Sequence, residues 1–170
     1  MAAAGFLERD FDMTVPERTM NAPRSPAHHV PGPASMPSRE LGSLLNLLLE
    51  TERAGARLLS AYLNELTPEA DAWAPLCTIQ RDEARNCGVL IDLLREMGFE
   101  PSMATGGFYH KATTAEGWRK RFEIFNLGQR QVAARIAAAL PQIPPSSGKD
   151  ALQAMHDSHH VNIAVCEELL

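Results

Sequence analysis

A chain of 170 residues is long enough for one domain with a real core. Hydrophobic residues at 45% and charged residues at 22% exclude a wholly disordered or fibrous protein, and a net charge of -5 argues against a nucleic-acid surface. No apolar run is long enough to span a membrane, and the opening residues carry acids rather than a basic and apolar signal segment. The three cysteines Cys77, Cys87 and Cys166 form no C-x-x-C pair, so a cytoplasmic protein with free thiols and no membrane partner is expected.

Residues 1–37 hold Pro16, Pro23, Pro26, Pro31, Pro33 and Pro37 and show no apolar periodicity, which predicts a proline-rich N-terminal arm rather than a folded unit. Such an arm is either a flexible tail or a strap that docks on a partner subunit or on its own bundle. From residue 38 to 170 the pattern changes to long segments of helical period punctuated by Pro and Gly, with almost no strand-like alternation, so the fold is all-α.

The first predicted helix covers 39–66, with Ser38 as N-cap and Thr67-Pro68 as the stop. Leu41, Leu45, Leu48, Glu52, Gly55, Leu59, Tyr62 and Leu66 alternate steps of four and three, the seam of a helix in a bundle, and Glu52 sits on it. The second predicted helix, 69–97, ends at Gly98, with Pro75 kinking its first turns. Its seam places Glu83 and Asn86 where Leu or Ile would normally pack.

A connection over 98–113 follows, longer than a hairpin needs and suited to a crossover that leaves its flanking helices parallel, with an up-down-up-down bundle as the alternative. The third predicted helix, 113–140, opens on a Thr113/Glu116 capping box, stops at Pro141, and carries one amide, Gln129, in a seam of large apolar groups. The fourth, from about residue 149, carries Leu152, His156, His159, Ile163, Cys166 and Leu170.

Glu52 lies fifteen residues before Thr67 and Glu83 fifteen after Pro68; Gln129 lies twelve before Pro141, and His159 and His160 lie eleven and twelve after Gly148. Antiparallel helices joined by a tight turn bring such equidistant residues to one height, so these groups are expected in a single layer at mid-bundle. Two carboxylates at one level of an apolar interior require protons, hydrogen-bond donors or a cation. Carboxylate with imidazole is a donor set for Fe, Mn or Zn, which makes Glu52, Glu83, His156, His159 and His160 the candidate ligands. The alternative is a hydrogen-bonded polar layer in which Asn86, Gln129 and the histidines satisfy the glutamates, with no metal at all.

This arrangement resembles the ferritin-like superfamily, the bacterioferritins, rubrerythrins and related di-iron carboxylate proteins, over residues 39–170. The resemblance implies a four-helix bundle with a long crossover between the second and third helices, bound iron, and oxidoreductase or oxygen chemistry. The family pattern is Glu, Glu-x-x-His, Glu and Glu-x-x-His on successive helices. Glu52 and Glu83 match it, whereas Asn86 replaces a histidine and Gln129 a carboxylate. The last helix reads either His156-Asp157-Ser158-His159, which the seam favours, or Asp157-Ser158-His159-His160, which brings Asp157 to the family's acidic position. Two carboxylates balance one divalent ion, so a reduced, mononuclear site of Fe, or else Mn or Zn, is expected, with Asn86, Gln129 and Asp157 as its supporting polar groups.

Within the resemblance, Tyr109 and His110 could cover such a site, and a thiolate from Cys87 or Cys166 could join it. A non-catalytic bundle acting as an accessory subunit through the N-terminal arm is the competing function, and an organic ligand among Tyr62, Trp118, Phe122 and Phe125 a third. Homo-oligomers could pair through an outer apolar face made of Leu44, Leu47 and Leu58.

Overall fold

A computed structural model of the chain describes residues 35–170, and every regular element in them is helical. α1 spans Ser38–Glu65, α2 Trp73–Glu96, α3 Phe108–Thr114, α4 Trp118–Ala139 and α5 Ser147–Glu168, with a single 3-10 turn at Leu140–Gln142. The proline-rich arm expected over residues 1–37 lies, as far as residue 34, outside the described residues. Among the described residues no helix is long and apolar enough to cross a membrane.

Local chemistry explains most of the helix ends. α2 begins at Trp73 rather than at residue 69, because a helix started earlier would put Pro75 in its interior, where the ring clashes with the carbonyl four residues back. Starting at Trp73 leaves Pro75 among the first donors, which have no partner within the helix in any case. Residues 67–73 make tight turns instead, with Ala70 N–H donating to Thr67 and Trp73 N–H to Ala70. At the other end Gly98 takes the left-handed conformation (φ 76°) and Phe99 N–H returns to the Leu94 carbonyl, as expected for that terminator. The Ser146 hydroxyl caps α5 by accepting from Lys149 N–H at 3.2 Å.

The expected third helix over 113–140 divides in two. Thr113 closes α3 rather than capping a new helix, its hydroxyl donating back to the carbonyls of Tyr109 and His110. Gly117, with φ 77°, breaks the chain direction before α4 starts at Trp118. The capping box is therefore unused, since Glu116 precedes the break.

Residues 99–109 climb the outside of α1. Asn46 donates to the Glu100 carbonyl and accepts from Ser102 N–H; Ser102 donates to Glu50; Gly106 N–H donates to the Glu50 carbonyl; and Arg57 reaches Thr105. Phe99 packs on Gly42, and the Tyr109 ring lies 5.0 Å from the Arg57 guanidinium. The climb from Gly42 to Arg57 is about 22 Å at the α-helical rise. It returns the chain to the end of α1 from which α2 set out, so α2 and α4 run parallel.

The core shows the same directions. At one end Leu45, Leu48 and Leu49 of α1 pack with Leu90 and Leu94 of α2, Val132 and Ile136 of α4, and Leu152 and Met155 of α5. At the other, Leu58, Leu59 and Tyr62 meet Leu76, Ile79, Phe122, Phe125 and Cys166. The aromatics expected as a ligand site pack on one another: Tyr62 meets Trp118 edge-on with centroids 5.1 Å apart, while Trp118 and Phe122 stack at 5.2 Å and Phe122 and Phe125 at 5.9 Å. They fill core. Leu58 is fully buried, so the outer apolar face drawn through Leu44, Leu47 and Leu58 does not exist as one surface; Leu47 alone of the three is exposed.

Candidate metal centre

Between the two apolar clusters lies a layer of polar side chains, one or two from each long helix: Glu52 of α1, Glu83 and Asn86 of α2, Gln129 of α4 and His159 of α5. All are buried, Glu52 and His159 completely. The equal residue counts to the two turns bring them to one height, and the hydrogen bonds tie them into a chain.

Asn86 Nδ2 donates to Glu52 Oε2 at 2.9 Å, and Gln129 Nε2 donates to Glu83 Oε1 at 2.5 Å. Gln129 Oε1 lies 2.6 Å from His159 Nδ1, and His159 Nε2 lies 3.0 Å from Glu52 Oε1. An amide oxygen can only accept, so Nδ1 carries the imidazole hydrogen in this arrangement, and Nε2 is left to face a carboxylate oxygen. A lone pair against a carboxylate requires a proton or a cation between them. Burial first, and then the negative charge of Glu52, push the Glu83 carboxyl well above the usual carboxylate range, against the opposing pull of the Gln129 amide.

Backbone packing makes room for this. A Cβ on Gly55 would fall 2.1 Å from Glu83 Oε2, so only glycine lets the Glu83 carboxylate lie against α1. Glu52, Glu83 and His159 each offer a donor atom, and the three atoms lie within 4.8 Å of one another. This buried group could hold a metal ion.

The other predicted ligands are elsewhere. His156, His160 and Asp157 are not in the layer; they lie on an outward flank of α5. At about 100° per residue, turning His159 inward leaves His156 and His160 to one side and brings Met155 over the core. The buried stripe of α5 is Leu152, Met155, His159, Asn162, Ile163 and Cys166, so Ile163 and Cys166 turn inward as expected, whereas the expected step from Leu152 to His156 was one residue too long. Asp157 is solvent-exposed, and its hydrogen bonds from His156 and then Gln153 hold its carboxyl below the usual value. Tyr109 lies against Arg57 on the outer side of α1 and His110 is exposed, so neither covers the layer. Neither Cys87 nor Cys166 is in the converging donor group, and burial pushes both thiols up to about 12, which keeps them protonated at neutral pH without a metal.

Sequence reasoning missed two buried amides, Asn126 and Asn162, whose Oδ1 and Nδ2 respectively lack a hydrogen-bond partner. They stand one turn from Gln129 and His159 towards the aromatic end. The same distance-from-turn count that aligned the layer would have aligned them, because Asn126 precedes Gln129 by three residues and Asn162 follows His159 by three.

No curated protein and no solved structure matches the chain. A family model described as Domain of unknown function (DUF6306) matches residues 39–168, from the second residue of α1 to the last of α5. That span includes every residue of the buried layer and most of the chain, which therefore belongs to the DUF6306 family.

Proposed function

We propose that this chain is a ferritin-like four-helix bundle protein in which Glu52, Glu83 and His159 hold one divalent transition ion, iron in the first place and manganese or zinc otherwise, for redox or oxygen chemistry. The observation that carries the reading is the pair of carboxylates and the imidazole converging in a sealed apolar core. Among the described residues no Lys or Arg pairs with either acid. Two buried carboxylates cost several kcal/mol unless neutralised, and one divalent cation matches their charge. The donor set suits such an ion, because the Gln129 carbonyl fixes the His159 hydrogen on Nδ1 and leaves Nε2 as the ligating nitrogen. A redox-active ion would supply electron transfer or oxygen activation. The chain's own residues orient the donors and, through the clusters above and below, exclude water.

The parallel α2 and α4 and the long climb along α1 support the ferritin-like part of the reading, with Asn86 and Gln129 accounting for a reduced, mononuclear site. A cytoplasmic setting fits Cys77, Cys87 and Cys166, all free thiols. Metal analysis of untagged protein tests the proposal. About one ion of iron, manganese or zinc per chain is expected, retained in a His156→Ala/His160→Ala variant and lost in Glu83→Gln and His159→Gln. Folded protein without metal, or with metal unaffected by both core substitutions, overturns it.

One observation favours a second reading: the Asn86 and Gln129 amides already offer each carboxylate a hydrogen bond. The chain would then be a non-catalytic bundle acting as an accessory subunit or homo-oligomer, with residues 1–37 as its contact to a protein partner. Deleting residues 1–37 would abolish that association, and chelation would leave the melting temperature unchanged.

A further inference from the structure

α5 carries a second pair of imidazoles on the side away from the buried layer. His156 and His160 are one helical turn apart on one face, their ring centroids 4.5 Å apart and their Nε2 atoms 3.2 Å apart. On the far side of the His156 ring, Asp157 Oδ1 lies 3.1 Å from Nδ1. An ionised carboxylate only accepts, so Nδ1 of His156 carries the hydrogen and its Nε2 presents a lone pair towards His160. Gln153 Nε2 donates to the same Asp157 oxygen at 2.8 Å and holds the carboxylate in place. A carboxylate that orients a histidine from behind is the usual support of an imidazole ligand.

We propose that His156 and His160 form a metal site on the outer face of α5, taking a borderline divalent transition ion such as zinc or copper through their two Nε2 atoms, with Asp157 as the orienting residue. Zn–N bonds of about 2.05 Å at a tetrahedral angle place two ligand nitrogens about 3.3 Å apart, close to the separation seen between these rings. Neutral nitrogen donors select zinc, copper or nickel over calcium and magnesium, which require oxygen. Space for the remaining ligands adjoins the pair: a groove of about 340 Å3 runs beside the rings, floored by Ala133, Ala134 and Ala137 of α4. Arg130 at its rim is paired with Glu167. Because His156 and His160 lie to one side of the inward-pointing His159, the outer site shares no ligand with the buried layer and forms whether or not that layer holds an ion.

Calorimetric titration of the full-length, untagged, chelator-treated protein with zinc chloride tests this. Wild type is expected to show a binding event whose affinity falls at least tenfold in His156→Ala and in His160→Ala, and about tenfold in Asp157→Ala. Metal-free melting temperatures should stay the same in His160→Ala and Asp157→Ala, whose side chains are exposed, so that a loss of zinc affinity in these two is not a loss of fold; His156 is half-buried. Substoichiometric copper(II) should broaden the His156 and His160 imidazole resonances first. Zinc binding of unchanged number and affinity in the His156→Ala/His160→Ala variant overturns the proposal, as does copper broadening confined to His28, His29 or His110.

Discussion

His159 and its neighbours His156 and His160 have the same chemistry and lie within one turn of each other, yet α5 gives them opposite environments. His159 is fully buried, its two nitrogens held between an amide and a carboxylate from two other helices. His156 and His160 meet each other and a carboxylate of their own helix, beside solvent. The inner ring is positioned by the tertiary fold and the outer pair by the helix itself. Removing an inner group should therefore disturb the whole molecule, and removing an outer one should be felt only by its ligand.

The sharpest test of that contrast is truncation of one ring from each side. His159→Ala leaves a cavity and strips Glu52 and the Gln129 carbonyl of their partner, a loss of about 3–5 kcal/mol in urea denaturation. His160→Ala should stay within about 0.5 kcal/mol of wild type. Equal effects would mean that the two sides of α5 are not distinguished by burial.

Next in size is Gly55→Ala, which replaces no ligand. Its methyl would occupy the place of Glu83 Oε2, forcing the carboxylate or α1 to move, at a cost of about 1–3 kcal/mol together with loss of core metal. Zinc binding at His156 and His160 should be unaffected. A Gly55→Ala protein with unchanged stability and core metal content would show that the close approach is not needed.

The pH dependence of the metal-free protein gives a smaller signal. Glu83 in the fold keeps its proton to a higher pH than in the unfolded chain, so above the ordinary carboxylate range the folded state binds more protons than the unfolded one. Stability then falls as pH rises, by up to about 1.4 kcal/mol per pH unit, from the unfolded value near 4.3 until the buried acid ionises. Glu83→Gln should remove that slope while keeping an acceptor for Gln129. Urea titrations across the window check it, and an identical slope in the variant would assign the effect to another group.

Much of the inner site was legible in the sequence. Glu52, Glu83, Asn86 and Gln129 interrupt apolar seams, and counting residues from the turns placed them at one height without coordinates. The helix α5 resisted the same treatment because Leu152-His156-His159 and Leu152-Met155-His159 are both acceptable helical spacings. Nothing local ranks them; the core chose Met155, whose thioether loses less on leaving water than an imidazole. Gly55 was legible as a seam position but not as the cradle of Glu83, since that depends on how close α1 and α2 approach. Asn126 and Asn162 hid among the polar residues of amphipathic helices.

The amino-acid sequence by itself determined the all-helical class, the change at about residue 38 and the polar level in the core, because apolar periodicity, proline and helix length are local properties with fixed geometry. The tertiary structure alone decided which face of α5 turned inward, that the third predicted helix breaks at Gly117, and that one histidine joins the glutamates while two others are left to pair outside. Those outcomes depend on packing between elements distant in sequence, where one residue of rotation, about 100°, moves a side chain from the core to the surface.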